Sequence, residues 1–104
     1  MDDQEYTVEV SDAALAMLDR HVDFLANVSK AAATKMKNEV LTSMRSLQKN
    51  PQRYPTYDNP FITDTVYRAM LSAKRYLVFY EIVENTVYVD YVVDCRQDYA
   101  WLIR

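Results

Sequence analysis

Tyr76-Leu77-Val78-Phe79-Tyr80-Glu81-Ile82-Val83, then Glu84-Asn85, then Thr86-Val87-Tyr88-Val89-Asp90-Tyr91-Val92-Val93 is the stretch whose reading decides the fold. Both halves are filled with β-branched and aromatic residues, which suit a pleated, packed surface better than a helix. The two residues between them match the length of a tight hairpin, so the halves read as neighbouring antiparallel strands. Such a turn needs a positive φ, which glycine normally supplies, and this chain of 104 residues contains no glycine. Asn85 is the expected pivot, because Asn tolerates the left-handed region better than most residues.

Working outward from the hairpin, Val66–Leu71 is a further strand. Residues 50–65 hold all three prolines, Pro51, Pro55 and Pro60, and read as an irregular connection. Before it, Ala33, Met36, Val40, Met44 and Leu47 recur at helical spacing, which predicts a helix over Lys30–Lys49 ended by Asn50-Pro51. Leu15, Leu18, Val22 and Leu25 form the stripe of an earlier helix opened by Ser11-Asp12 and interrupted at Asn27-Val28-Ser29. Val8 and Val10 alternate in a short first strand over residues 6–10. Gln97–Arg104 reads as a short C-terminal helix with Trp101 and Leu102 packed back. The expected class is α+β, in the order β-α-α-β-β-β. An αα-hairpin packs on one face of a mainly antiparallel four-stranded sheet, in a single domain over residues 1–104.

Composition narrows the chemistry. Without glycine there is no amide cradle for phosphate, which excludes the P-loop, the dinucleotide fingerprint and the glycine-flanked nucleophile elbow. One His and one Cys cannot assemble the usual zinc ligand sets, so no metal and no cofactor is expected. Cys95 alone forms no intramolecular disulfide, which suits a reducing compartment. The acidic start Met1-Asp2-Asp3-Gln4-Glu5 is unlike a signal peptide, and no apolar run approaches the roughly 18 residues of a membrane span. A cytoplasmic chain with no membrane partner is the expectation.

The net charge of −3 conceals an uneven distribution: residues 1–28 carry −6, residues 29–75 carry +6 and residues 76–104 carry −3. A basic middle inside an acidic chain is a local face for phosphate or for an acidic partner. The lysines of the second helix read as a solvated face, whereas Arg68, Lys74, Arg75 and Arg96 lie on or beside strands. Tyr67, Tyr76, Tyr80, Tyr88 and Tyr91 in the same region pack a sheet or offer a stacking platform for bases. His21 reads as structural or solvent-facing and Cys95 as a packed thiol, because no nucleophile motif accompanies either.

The runs Tyr67-Arg68-Ala69-Met70-Leu71, Lys74-Arg75-Tyr76-Leu77-Val78-Phe79-Tyr80 and Val87–Val93 with the closing Asp94-Cys95-Arg96-Gln97-Asp98-Tyr99 resemble the toxins of the RelE/ParE superfamily, also known as the plasmid stabilisation family. Leu47-Gln48-Lys49-Asn50-Pro51-Gln52-Arg53-Tyr54-Pro55 is similar to the family's end of the second helix, so the resemblance covers nearly the whole chain. It implies the toxin of a type II toxin–antitoxin pair, neutralised by a cognate antitoxin in a hetero-oligomer. Two activities occur in the superfamily: RelE-like mRNA interferases cut mRNA on the ribosome, and ParE-like members inhibit DNA gyrase. Metal-independent RNA cleavage needs a proton acceptor, a clamp on the phosphorane and a proton donor. The candidate catalytic residues are Arg68, Arg75 and Arg96 as clamp, Lys74 as assistant and Tyr99 as proton carrier. Where RelE-like members carry a lysine pair, this chain reads Tyr67-Arg68-Ala69-Met70, which weights the resemblance toward a ParE-like or divergent member and leaves both activities open. A non-catalytic interaction module that keeps the fold is the alternative from another class.

Overall fold

A computed structural model of the chain describes residues 5–57 and 65–95. The elements in order are β1 (Thr7–Val10), α1 (Asp12–Ala26), α2 (Lys30–Ser46), a 3₁₀ turn (Pro51–Arg53), β2 (Thr56–Tyr57), β3 (Tyr67–Ser72), β4 (Tyr76–Val83) and β5 (Thr86–Asp94). The α+β order anticipated from the sequence is present, with one short strand more. Thr56 and Tyr57 pair antiparallel with Arg68 and Tyr67. The sheet therefore has five strands in the order β1-β5-β4-β3-β2. All its pairings are antiparallel except β1 with β5, which run parallel. The C-terminal helix expected over Gln97–Arg104 lies outside the described residues.

The helices start where side chains satisfy their first free amides. Ser11 Oγ accepts from the Ala14 amide and Ser29 Oγ from the Ala32 amide. The expected α2 stripe is buried in full: Ala33, Met36, Val40, Met44 and Leu47. The expected α1 stripe holds at Leu18, Val22 and Leu25 and fails at its first position. Ala14 and Leu18 are buried, whereas Leu15 is 40% exposed. The Ser11 amide donates to the Val89 carbonyl at 2.9 Å, so main chain touches main chain where α1 begins.

The core lies between the helices and one face of the sheet. Met70 of β3, Tyr76, Val78 and Tyr80 of β4, and Val87, Val89 and Val92 of β5 pack against Leu18, Met36, Val40 and Met44. The change from odd to even positions along β5 marks a β-bulge. Phe79 pairs with Tyr91 but Tyr80 with Val89, so Asp90 is an extra residue. Tyr67, Phe79 and Val93 form a second, smaller core on the opposite face, with Tyr57, Leu77 and Tyr91 packed around them. The five tyrosines of the last strands thus make no single stacking platform. Tyr76 and Tyr80 are buried under the helices and Tyr67 on the other face, while Tyr88 is exposed.

Four non-glycine residues among those described take positive φ: Asn50 (48°), Ala73 (51°), Lys74 (73°) and Glu84 (56°). The β4–β5 turn therefore places its positive φ on Glu84, the first of its two residues, and not on Asn85 as expected. In a two-residue turn with positive φ at its first position, the strand twist is matched by that residue alone.

Candidate functional site

The strands β3 and β4 carry cationic side chains at both ends, and the two ends differ in what those side chains do. At one end stands Arg68, paired across the ladder with Tyr80. Its Nη1 donates to the carbonyls of Gln52 and Tyr54, at 3.1 and 2.6 Å. Tyr80 Oη donates to the Pro51 carbonyl at 2.6 Å. Arg53 donates to the carbonyls of Ser46, Lys49 and Asn50, closing the last turn of α2. Three side chains thus satisfy the main-chain oxygens of the connection that returns from α2 to β2. Burial pushes the Tyr80 hydroxyl up to about 12, against an opposing pull from the Arg68 and Arg53 charges.

At the other end is the β3–β4 hairpin, Ala73-Lys74-Arg75, with Lys74 exposed. Arg75 Nε donates to Tyr76 Oη at 3.1 Å and stands 3.8 Å from Asp94 Oδ2. The guanidinium carbon lies 5.2 Å from the centre of the Tyr76 ring. Asp94 is buried while the Arg75 side chain is 30% exposed, so the pair spans the boundary between core and solvent. His21 of α1 flanks Tyr76, with ring centres 5.2 Å apart, and its Nε2 meets the Val92 carbonyl at 2.9 Å. His21 is therefore a structural tie between α1 and β5. Nearby, Ser43 and Ser72 hydroxyls meet at 2.7 Å and tie α2 to β3. Cys95 is exposed, not packed as expected, and its amide donates to the Arg75 carbonyl at 2.8 Å.

Of the candidate residues, the structure brings Lys74 and Arg75 together on one hairpin and sets Arg68 apart. From Arg68 to Ser72, where the hairpin begins, the strand runs about 13 Å. Arg96 and Tyr99 lie outside the described residues. Tyr76 and Asp94 hold Arg75; the sequence marks Tyr76 only as a sheet-packing or stacking tyrosine and does not single out Asp94. Their signal was present as a polar residue and a tyrosine flanking an apolar run, but only the register Tyr76↔Asp94 shows that they meet.

The outer face of the sheet holds a second polar group. Tyr67 Oη donates to Asp90 Oδ2 at 2.7 Å, reaching across β4 to the bulge. Burial, then the bond to Asp90, pushes the Tyr67 hydroxyl far above its ordinary range. Burial, then the Asp90 charge, also raises the Glu81 carboxyl. Along α2, an open groove runs from Ala31 past Lys35 and Glu39 to Ser43. Among the described residues no group of three or more His, Cys, Asp or Glu is placed to hold a metal ion. None of their helices is long and apolar enough to cross a membrane.

A two-helix hairpin on a mostly antiparallel sheet, with basic groups at the strand ends, defines a small α+β domain. The family described as "ParE toxin of type II toxin-antitoxin system, parDE" matches residues 8–99, and the chain belongs to that family. Among solved structures it is similar to a chain of the chromosomal ParDE TA system from P. aeruginosa, at a TM-score of 0.69 and 12% identity. That match covers 88% of this chain and 98% of the other. At this identity the likeness is one of fold. No protein with a curated description matches the sequence.

Proposed function

We propose that this ParE-family toxin arrests growth by inhibiting DNA gyrase, not by cleaving mRNA, and that a cognate ParD-type antitoxin neutralises it in a toxin–antitoxin complex. One observation carries the choice between the activities. The cationic side chains that RNA cleavage would share do not converge among the described residues. Arg68 is engaged with the carbonyls of Gln52 and Tyr54, a strand's length from Lys74 and Arg75. His21, the one imidazole near Arg75, has its Nε2 on the Val92 carbonyl. Binding needs only that Lys74 and Arg75 reach a target, whereas cleavage needs acid, base and clamp about one phosphate. Arg96 and Tyr99, which follow Cys95 in the chain, complete the proposed contact set.

Induced expression of the chain should stop growth, and co-expression of the short protein encoded beside it should restore growth. Purified toxin should block supercoiling by gyrase, while primer extension on cellular mRNA shows no codon-dependent cuts. Cuts in ribosome-bound mRNA with supercoiling intact would overturn the reading.

A further inference from the structure

Among the described residues, Arg75 is held in a way that leaves its terminal amino groups open. Its Nε donates to Tyr76 Oη and faces Asp94 Oδ2, and the Tyr76 ring lies beside the guanidinium. The two terminal amino groups make no hydrogen bond with any described residue. Tyr76 is itself fixed, at 2% exposure, between the core and the ring of His21. The carboxylate of Asp94 is buried on the strand partner of Tyr76, so its charge orients Arg75 from the protein side. A guanidinium gripped by Nε presents one N–H from each of its two terminal amino groups as a parallel fork, the geometry that meets a carboxylate with two bonds.

Resting on the reading of Arg75 as a target contact, we infer that Tyr76 and Asp94 are positioning residues that present the terminal amino groups of Arg75 as a fixed fork for a carboxylate on a protein target. A carboxylate is favoured over a nucleic-acid backbone by charge. The chain carries −3 overall, so its far field repels a polyanion, while one fork beside Lys74 suits a single acidic side chain at short range.

The test uses the full chain and four variants: Tyr76→Phe, Asp94→Asn, Arg75→Ala and Arg75→Lys. Tyr76→Phe and Asp94→Asn should each weaken gyrase inhibition about tenfold, the scale of one lost bond to a charged group. Arg75→Ala should lose more, and Arg75→Lys should not restore it, since an ammonium has no Nε to be held by. The Nε–H signal of Arg75 in a ¹⁵N spectrum should exchange slowly in the wild type and faster in Tyr76→Phe under conditions of matched global stability, a change that loosened packing alone would not produce. Full inhibition by Arg75→Ala sinks the target contact itself, whatever the Nε signal does. Impaired Arg75→Ala beside full-strength Tyr76→Phe and Asp94→Asn, with an unchanged Nε signal, overturns the positioning role alone. Arg75-dependent retention of a short DNA duplex without gyrase overturns the carboxylate assignment.

Discussion

Arg68 and Arg75 stand at opposite ends of the same pair of strands and are used in opposite ways. The Arg68 guanidinium faces inward and donates to two main-chain carbonyls of the connection after α2. Arg75 is gripped at Nε from within, and its terminal amino groups bond to none of the described residues. One arginine closes a loop and the other is presented by the fold. The difference shows that residue type and strand position do not by themselves say whether a cation is consumed by the fold. The deciding fact is which of the five guanidinium donors is already engaged.

The largest expected break in this comparison comes from Arg68→Ala. It leaves the Gln52 and Tyr54 oxygens without their donor and loosens the β2 pairing with Arg68 itself. A loss of about 2 kcal/mol in urea unfolding is expected, with gyrase inhibition per folded molecule unchanged. Loss of inhibition in a variant that keeps its stability would move Arg68 into the target-contacting set.

Tyr80→Phe tests the same end with a smaller change. The fully buried ring stays and only the bond to the buried Pro51 carbonyl is lost, at about 1.5 kcal/mol. The hydroxyl's raised value of about 12 adds a pH signature. A tyrosine whose folded value is raised contributes stability that is complete below its ordinary value, about 10, and is lost as pH rises through the folded one. The gap between wild type and Tyr80→Phe should therefore be constant to about pH 10 and close above it, read from unfolding midpoints at each pH.

The turns at the two ends sharpen the comparison further. Ala73 and Glu84 sit at φ of 51° and 56°, where a Cβ costs about 1 kcal/mol. Ala73→Gly and Glu84→Gly should each raise the thermal midpoint, the gain being reduced by the greater unfolded-state freedom of glycine. Glu84→Gly, at the turn remote from Arg75, should leave inhibition untouched.

Much of this arrangement was legible in the residues, and the remainder depended on contacts distant in the chain. The α2 stripe from Ala33 to Leu47 was readable because one face alone is apolar at helical spacing. The α1 stripe was readable at Leu18, Val22 and Leu25, and only its first position, where Ala14 is buried and Leu15 exposed, was missed, because the start of α1 is set by the bond of Ser11 to Val89, 78 positions away. The bulge at Asp90 was hidden because Val87–Val93 is apolar on both faces, so neither parity of alternation stands out. β2 has two residues among prolines and no periodicity to detect. At the site, Arg68 and Arg75 were both visible as cations on strands. Their separation follows from β3 running straight between them, and their roles from partners at Tyr54 and Asp94 that no local pattern announces.

The smallest expected effect tests whether the outer face is part of either end's work. Glu81 stands on that face, beside the Tyr67–Asp90 pair, and is raised first by burial and then by the Asp90 charge. A carboxyl whose folded value lies above its unfolded one costs stability as it ionises. Its favourable contribution is complete below the ordinary value, about 4.3, and is lost as pH rises through the folded one. Glu81→Gln should therefore stabilise the protein at neutral pH, by about 0.5 kcal/mol at a part-exposed position, and make no difference below about pH 4. Inhibition should not change, because the face joins β3 to the bulge and touches neither Arg75 nor its holders. A Glu81→Gln variant with normal stability but altered inhibition would show that the target reaches across the sheet, and that the contrast between its two ends is incomplete.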